Sequence, residues 1–405
     1  MGFCDGLRFM GFVYVGIEPD GILWYDINIE VCRVAFFCPE AENMAAAEGN
    51  PSAAMGTECT GGRRGKPVGG HGSKTHARPA RRRAAYTEYS GREREEHMSY
   101  KGYLFAHFIG EKKDGEQVYF SVSRDGLHWR ELNGGEPVLR SEIGEMGARD
   151  PFLIRSPWEG KDGSGKFYLI ATDLRIEAGK GWEAAQYSGS RDILVWESQD
   201  LVSWRGPKAH TVGIPGAGCV WAPEAVYDEE QDAILVFWAS MVDKKQRIYA
   251  SYTRDFKSFS QPFLFLEKEN HVIDSTIIRT EEGYYRYTKD ETVKTICIDF
   301  SENLHPEDFR EVKSETLGSL YGVEGPEIFR LDQGQWCLIV DRFAAGKGYL
   351  PLVTDRLDSG EFRILDDSEF DMGVSVKRHG GVIPITAEEY DRLCAAFGCS
   401  QEQKA

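Results

Sequence analysis

Two repeated patterns in the sequence predict an all-β protein, a five-bladed β-propeller with a short C-terminal helix. The first pattern is a series of short apolar runs, rich in β-branched and aromatic residues, which Gly, Asp and Asn turns interrupt about every eight to twelve residues after residue 98. The second is a unit of about fifty to seventy residues that recurs along the same stretch, as expected if each unit forms one blade. A β-sandwich is the alternative fold.

Each unit begins at an apolar strand whose start is polar or carries proline. These starts read RDPFLIR, WAPEAVY, IDSTIIR and EGPEIFR, at positions 149, 221, 273 and 324. Four such units leave the strands of residues 103–129 without an inner partner, and HGGVIPIT at 379–386 can supply one. The fifth blade is therefore predicted to be closed by N-terminal and C-terminal strands together. TAEEYDRLCAAFG follows and predicts a short helix capped by Thr386.

A smaller repeat has the form S/T-x-D-x-x-x-aromatic. It occurs as SRDGLHW, SQDLVSW and TRDFKSF, with its aspartates at Asp125, Asp200 and Asp255. An aspartate in this place can bond to its own backbone in a tight turn, and the aromatic residue can cover the next strand. These three aspartates are therefore predicted to be structural and not catalytic.

The N-terminal part of the chain differs in composition from the rest. Residues 63–94 are basic, rich in Gly, Pro and Ala, and without an apolar period, which predicts disorder. Met98 opens MSYKGYLFAHF, which reads like the start of a protein. Residues 1–97 are therefore predicted to be a disordered or wrongly assigned extension, 98–398 the propeller, and 399–405 a tail.

Composition and charge exclude several classes of function. Hydrophobic residues make up 41% of the chain, enough for a large core, and the formal net charge is −17. This charge argues against nucleic acid as a partner and against a strongly anionic substrate. No apolar run is long enough to span a membrane and no secretory signal is visible, so the predicted location is cytoplasmic. The nine cysteines form no CxxC pair, and Cys219, Cys297 and Cys337 lie in or beside apolar runs, as buried thiols do.

Three of the four strand starts carry a carboxylate: Asp150, Asp274 and Glu324. The first strand of each propeller blade lines the central channel, so these side chains are expected to meet at one end of the axis. Converging carboxylates suit glycosidic-bond hydrolysis, in which one group protonates the leaving oxygen and another activates water. A third carboxylate raises the pKa of the acid by repulsion. Trp221 and Tyr321 are candidate faces for sugar rings, with core packing as the alternative.

The stretch of residues 100–398 resembles glycoside hydrolase family 43, through GARDPFLIR, CVWAPEAVYD, VIDSTIIRTEEGYYRYTKDE, VEGPEIFRL and RHGG in that order. The resemblance implies an inverting five-bladed propeller enzyme. Carried over by motif, Asp150 is the general base, Asp274 modulates the pKa and orients the substrate, and Glu324 is the general acid. His379 in RHGG matches a histidine on the propeller axis that often lies beside a bound calcium ion or water.

The resemblance also implies a substrate class. The first matching blade begins about fifty residues after Met98, as in a branch with arabinofuranosidase members, which favours an α-L-arabinofuranosidase acting on plant-type glycans over a β-xylosidase. Trp221, Tyr321, Arg342 and His379 are the predicted substrate-binding residues. No cofactor is expected to be required, and a structural calcium ion on the axis, held through water by His379, is left open.

Three other readings remain open at the level of sequence. Fructan- and sucrose-cleaving propeller hydrolases also contain an RDP motif, but they need an early nucleophile motif for which this chain has only AHFIGE. A non-catalytic carbohydrate-binding propeller would not require all three carboxylates. A phosphorylase would need a cationic phosphate site, for which Arg149, Arg342 and Lys289 are only scattered candidates.

Overall fold

The chain divides into two compact units, Met1–Arg82 and Arg83–Ala405. The residues that the computed structural model describes fall in four ranges: 12–17, 23–28, 100–158 and 166–399. Within these ranges, no helix is both long and apolar enough to cross a membrane.

The described part of the first unit is a pair of antiparallel strands. Strand β1 (Phe12–Ile17) pairs with β2 (Leu23–Asn28) from Phe12↔Asn28 to Ile17↔Leu23. The segment 63–94, for which the sequence predicts disorder, lies outside the described residues. The predicted domain boundary at 97/98 stays a prediction.

The second unit contains five antiparallel sheets of four strands each among its described residues, and each sheet is one blade. Blade 1 is ordered β22-β3-β4-β5, and the other four blades follow chain order. Blade 1 consists of β22 (Arg378–Thr386), β3 (Tyr100–Phe108), β4 (Tyr119–Ser123) and β5 (Trp129–Glu131). Blade 2 consists of β6 (Arg149–Arg155), β7 (Phe167–Thr172), β8 (Asp192–Ser198) and β9 (Trp204–Thr211). Blade 3 consists of β10 (Trp221–Asp228), β11 (Ala233–Val242), β12 (Lys245–Thr253) and β13 (Phe263–Leu266). Blade 4 consists of β14 (Val272–Arg279), β15 (Tyr284–Asp290), β16 (Thr295–Ser301) and β17 (Arg310–Val312). Blade 5 consists of β18 (Glu324–Arg330), β19 (Trp336–Asp341), β20 (Tyr349–Thr354) and β21 (Arg363–Ile364).

The five inner strands form a closed ring. Each contacts the next in the order β22, β6, β10, β14 and β18, and β18 contacts β22 again. The ring closes where β22, from the C-terminal end, pairs with β3, from Arg378↔Phe108 to Thr386↔Tyr100. The predicted five-bladed propeller is confirmed, and so is the predicted closure of one blade, here blade 1, by strands from both ends of the domain.

Hydrophobic clusters fill the spaces between neighbouring blades. The alternation of side chains along each strand turns one set of apolar residues toward the preceding blade and the other toward the following blade. Each cluster therefore belongs to two adjacent blades, and one buried residue from each side identifies it: Phe120 and Trp196 (blades 1 and 2), Tyr168 and Trp238 (2 and 3), Phe237 and Ile277 (3 and 4), Tyr287 and Leu338 (4 and 5), and Phe329 and Phe105 (5 and 1).

The S/T-x-D repeat forms the predicted turns. In the first copy, the Ser123 hydroxyl donates to the Asp125 carboxylate, whose Oδ1 accepts the backbone N–H groups of Leu127 and His128, each at 2.9 Å. The Trp129 indole N–H donates to the Gly126 carbonyl at 3.1 Å and so ties the aromatic residue to the turn. The copies at residues 198–204 and 253–259 bond in the same way through their Ser or Thr and Asp side chains. The structural role predicted for these aspartates is thus visible in their contacts.

Three α-helices occur in the described ranges: α1 (Trp182–Ser188), α2 (Glu315–Gly318) and α3 (Ala387–Phe397). The predicted C-terminal helix is α3, and it begins with a capping box in which Thr386 and Glu389 bond to each other's backbone.

One cysteine pair forms a bond that the sequence did not predict. Cys394 near the end of α3 forms a disulfide with Cys399. Cys219 and Cys337 are buried free thiols and Cys297 is a half-buried one.

Candidate active site

A β-bulge interrupts the pairing at the start of every inner strand. In four blades the bulged residue has positive φ, with values of 49° at Asp150, 47° at Ala222, 48° at Asp274 and 51° at Gly325. Such a conformation is strained for residues other than glycine, and a bulge redirects the side chain that it carries. Asp150 and Asp274 therefore occupy equivalent positions, whereas Glu324 lies one residue before its blade's bulge.

His379 occupies the bulge of β22, the inner strand of blade 1, and its buried ring lies between carboxylates of three other blades. Its Nδ1 is 3.6 Å from Asp150 Oδ1 and 3.8 Å from Asp274 Oδ1, and its Nε2 is 3.7 Å from Glu224 Oε1. Burial lowers the pKa of His379, but the negative charges of Asp274, Glu224 and Asp150 outweigh burial and raise it to about 10. The ring is therefore a cation at neutral pH.

The Asp150 carboxylate is held by two blades. The Thr172 hydroxyl donates to its Oδ2 at 2.8 Å, and the same hydroxyl oxygen accepts the backbone N–H of Ala222 at 2.8 Å. Since the Ala222 N–H occupies the hydroxyl as an acceptor, the Thr172 proton is directed at Asp150. Oδ1 faces His379, so both oxygens have a fixed neighbour.

Asp274 is buried beside the start of blade 5. Its Oδ2 accepts the backbone N–H of Gly325 at 3.2 Å. Asp274 therefore contacts the residue that directly follows Glu324 in the chain. Burial raises the pKa of Asp274; His379 and Lys289 lower it, the charges of Glu324 and Asp150 raise it, and the result is about 6. The negative charges of Glu324 and Asp150 thus both act on Asp274.

Two cations hold the Glu324 carboxylate. The Arg378 guanidinium donates to Oε1 at 2.8 Å and the Lys289 ammonium to Oε2 at 2.7 Å. Arg378 also donates to Asp341 Oδ2 at 2.6 Å. Burial raises the pKa of Glu324, but Lys289 and Arg378 outweigh burial and lower it below the ordinary value. In this state Glu324 is ionised at neutral pH.

Two further glutamates lie buried deeper along the inner strands. Both oxygens of Glu224 lack a hydrogen-bond partner among the described residues, and burial raises its pKa to about 7. Glu327 Oε1 accepts the Val382 N–H at 2.7 Å, and burial and the charge of Glu224 raise its pKa well above the ordinary value. Near neutral pH this pair is therefore partly protonated and holds less than two negative charges.

The predicted aromatic residues lie in different surroundings. Trp221 begins β10 and is half-buried, with its ring at 82° to that of Trp182 and the centroids 6.1 Å apart. Trp182 is 51% exposed, and the Arg149 guanidinium lies 5.1 Å from its ring centroid. Tyr321, in the loop before β18, is 65% exposed. Both Trp182 and Tyr321 are thus more than half exposed.

Arg342 bonds to the backbone of the turn that it begins. Its guanidinium donates to the carbonyls of Gly348 at 3.2 Å, Tyr349 at 3.3 Å and Lys347 at 3.4 Å. The turn that it stabilises also carries Phe343, which lies beside Lys289. The substrate-binding role predicted for Arg342 stays a prediction.

Across the described ranges, no group of three or more His, Cys, Asp or Glu side chains is arranged to hold a metal ion. The unbonded oxygens of Glu224 are of the type that calcium prefers, but six to eight oxygen ligands are its usual number. His379 Nε2 lies 3.7 Å from one of these oxygens, Glu224 Oε1. The structural calcium ion that the sequence left open, held through water by His379, stays a prediction, and the chemistry below uses none.

The sequence predicted Asp150, Asp274 and His379, which meet on the axis. It also predicted Glu324, which is bonded to Lys289 and directly precedes Gly325, the donor to Asp274. It did not assign a role beside them to Lys289, Arg378, Asp341, Glu224 or Glu327. A signal for the two glutamates was present, since WAPE and EGPE both place Pro-Glu at the same distance from the strand start. Arg378 directly precedes the His379 that the RHGG motif had singled out.

Comparison with known proteins gives one similar sequence of assigned activity. An α-L-arabinofuranosidase of Bifidobacterium longum is 33% identical over 214 residues, which are 47% of this chain and 20% of that protein. The chain thus spans about one fifth of the length of the curated relative that it matches.

Among solved structures, two arabinanases are similar to this chain. An α-L-arabinanase of Penicillium chrysogenum in complex with arabinobiose is 17% identical, with 66% of this chain and 78% of that chain covered and a TM-score of 0.45. The native arabinanase of Bacillus subtilis is 15% identical, with 61% and 82% covered and a TM-score of 0.40. The fold assignment rests on the strand topology and not on these superpositions.

A family model covers most of the second unit. The model described as "Probable glycosyl hydrolase domain", which represents proteins related to glycoside hydrolase family 43, matches residues 98–391. Its match includes all five inner strands and each residue of the site described above. The chain belongs to this family of glycosyl hydrolase domains related to family 43.

Proposed function

We propose that the protein is an inverting glycoside hydrolase that releases terminal α-L-arabinofuranosyl residues from plant-type oligo- or polysaccharides. The observation that supports this most directly is the meeting of Asp150 and Asp274 at His379, with Glu324 next to Gly325, the donor to Asp274. Hydrolysis with inversion needs two carboxyl groups on opposite sides of the scissile bond, and three are available at this end of the axis. The arabinofuranosidase relative supports the choice of sugar.

In the proposed mechanism, Asp150 takes a proton from the attacking water while a new bond forms at the anomeric carbon. Glu324 gives its proton to the glycosidic oxygen as the bond to the leaving sugar breaks. Asp274 orients the substrate and adds negative charge between the two. His379 and Thr172 hold Asp150 in place, which supports its role as a base of fixed geometry.

The proposed acid role has a consequence for pH. Glu324 can donate only while protonated, and Lys289 and Arg378 hold its pKa below the ordinary value. The protonated fraction therefore rises as pH falls and is small at neutral pH. We expect the optimum of kcat/KM on unactivated substrates to lie on the acid side of pH 7, and a pH–rate profile on arabino-oligosaccharides measures it.

The exposed aromatic faces are the proposed sugar platforms. Trp182 stands against Trp221 on the side of blades 2 and 3, and Tyr321 stands on the side of blade 5. Apolar faces of sugar rings stack on such side chains. No role in binding nucleic acid or a membrane is proposed.

The decisive experiment uses the full chain with 4-nitrophenyl α-L-arabinofuranoside, 4-nitrophenyl β-D-xyloside and a fructan. Fastest cleavage of the arabinoside is expected. Preference for the xyloside would indicate a β-xylosidase, and preference for the fructan would indicate a fructan-cleaving propeller hydrolase. No cleavage of any of the three would favour a carbohydrate-binding propeller. Proton NMR of the first-formed sugar anomer tests inversion.

Variants test the proposed roles. Asp150→Asn should lower kcat by about 10²-fold or more, the range for a lost acid or base. Glu324→Gln should abolish cleavage of unactivated arabinosides but retain cleavage of arabinosides whose leaving groups need no protonation. Equal loss of activity on the two classes of substrate would argue against the acid role. Asp200→Asn, in the repeated turn, is the matched control and should leave kcat unchanged.

A cytoplasmic location is part of the proposal, and the free thiols Cys219, Cys297 and Cys337 support it. The Cys394–Cys399 disulfide is of a kind that persists in oxidising compartments and counts against it. Cell fractionation, with the thiols blocked before lysis, distinguishes the two.

A further inference from the structure

Lys289 is a buried cation whose closest partners are carboxylates. Its side chain is 3% exposed, and its Nζ lies 2.7 Å from Glu324 Oε2 and 2.6 Å from Glu291 Oε2. The ring of Phe343 covers the ammonium at 4.4 Å from its centroid. Burying a lysine is unfavourable unless its charge is paired, and here the pairing is with the proposed acid.

Lys289 and Arg378 engage different oxygens of Glu324. Arg378 occupies Oε1 and Lys289 occupies Oε2, so the carboxyl group cannot rotate without breaking one of the two bonds. Arg378 is shared with Asp341 and Glu111, whereas Lys289 is shared with Glu291, and the charge of Asp274 also acts on it. The charged groups around Glu324 from all elements packed against it are Asp274 on β14, Lys289 on β15, Glu291 in the turn after β15, Asp341 on β19, Arg378 and His379 on β22, and Glu111 after β3.

We propose that Lys289 is a positioning residue for Glu324, which fixes the orientation of the carboxyl group and sets the pH above which its catalytic proton is lost. This rests on the proposed function of Glu324 as the acid. When the Glu324 O–H bond breaks and the proton bonds to the leaving oxygen, the new carboxylate forms next to the ammonium. Lys289 therefore stabilises the product of proton transfer and makes Glu324 a stronger acid, at the cost of a smaller protonated fraction at neutral pH.

The test compares three variants on an unactivated arabino-oligosaccharide. Lys289→Met removes the charge and keeps most of the length of the side chain, and Lys289→Arg restores a cation. Lys294→Met is the matched control, since Lys294 also pairs with Glu291 but makes no bond to Glu324. The readout is the alkaline limb of the kcat/KM profile, together with kcat well below that limb.

We expect Lys289→Met to move the alkaline limb upward by about one pH unit or more, the usual effect of one close opposite charge. Its kcat at low pH should fall several-fold, because the acid is weaker. Lys289→Arg should lie near the wild type, and Lys294→Met should not move the limb. An unmoved limb in a folded Lys289→Met protein would overturn the proposal.

A measurement without turnover separates this proposal from the proposed function. Carbon-13 NMR of labelled glutamate carboxyl groups, with Glu324→Gln to assign the signal, gives the titration of Glu324 directly. Its midpoint should be higher in Lys289→Met than in the wild type, and equal midpoints would contradict the proposal even if the enzyme is active. Absence of hydrolysis by the wild type would instead sink the proposed function. Lys289→Gln serves the same titration if Lys289→Met does not fold.

Discussion

His379 gives the site a central positive charge. Asp150, Asp274 and Glu224 come from three different blades, and without a cation between them their repulsion would oppose the closing of the ring. With the imidazolium in place, two of these carboxylates lie within 3.8 Å of Nδ1 and one lies 3.7 Å from Nε2. The histidine thus connects the stability of the axis to the arrangement of the proposed catalytic groups.

The raised pKa of His379 predicts a pH dependence of stability. Because its folded-state pKa, about 10, exceeds its ordinary value of 6.5, its contribution is fully present below pH 6.5 and is lost as pH rises through 10. The free energy of unfolding in urea should therefore fall between pH 7 and pH 9.5, by up to about 1.4 kcal/mol per pH unit. NMR of the ring, assigned with His379→Gln, should show imidazolium at pH 8. The prediction would be contradicted if the His379 ring titrated near pH 6.5 and the free energy of unfolding stayed constant between pH 7 and pH 9.5.

Among individual residues, the sequence could reveal those whose position in a repeat is unusual. Asp150, Asp274 and Glu324 were visible because each places a charge at the start of an apolar strand. Lys289 was not visible as a partner of Glu324, because it lies at the far end of a hairpin in blade 4 and reaches its partner only through the packing of blade 4 on blade 5. The ionised state of Glu324 follows from that packing and could not be predicted.

The repeated bulge is the element that directs side chains to the axis. Three residues other than glycine, Asp150, Ala222 and Asp274, adopt its positive φ, so the conformation alone does not require glycine. At Gly325 a Cβ atom would lie 2.8 Å from His379 Cγ and 2.9 Å from its Cδ2. Blade 5 therefore uses glycine to make room for the histidine ring, and places its carboxylate one residue earlier.

The Gly325→Ala variant tests this reason for the glycine. The added methyl group must displace His379 or the start of β18, and overpacking of this kind costs about 1–3 kcal/mol beyond backbone strain. Gly346→Ala is the control, because Gly346 has a φ of 61° with open space around its would-be Cβ. Thermal unfolding should show a clearly larger loss for Gly325→Ala. Equal losses would mean that backbone strain, and not the ring, excludes a side chain.

Elements differed in how well the sequence could predict them. The tight turns with S/T-x-D could be read in full, since their bonds are local and repeat three times. The bulges could not, because a bulge appears only in the register between two strands. Helix α1 was also missed: it is 7 residues long and carries no capping side chain, so it depends on its place between β7 and β8.

The whole propeller depends on one non-covalent closure. Four blades are continuous in the chain, and only in blade 1 must the two ends of the domain find each other, through β22 and β3. Helix α3 follows β22 directly and packs Tyr390 and Leu393 into the cluster between blades 1 and 2. The sequence could predict this closure by counting strands, but not the bond that follows it.

The Cys394–Cys399 disulfide holds the end of this closure. The bond ties the last turn of α3 to Cys399, which pairs by a β-bridge with Leu132 at the end of blade 1. It closes a short loop of sequence separation 5, so removing it should cost about 2 kcal/mol and a few degrees in Tm. Thermal unfolding of Cys394→Ser/Cys399→Ser against oxidised wild type measures this. Reductant should lower the Tm of the wild type to that of the variant and leave the variant unchanged. If mass spectrometry of the unreduced protein finds both thiols free, or the two proteins melt together, the disulfide does not contribute to the closure, and the packing of α3 alone holds the ring.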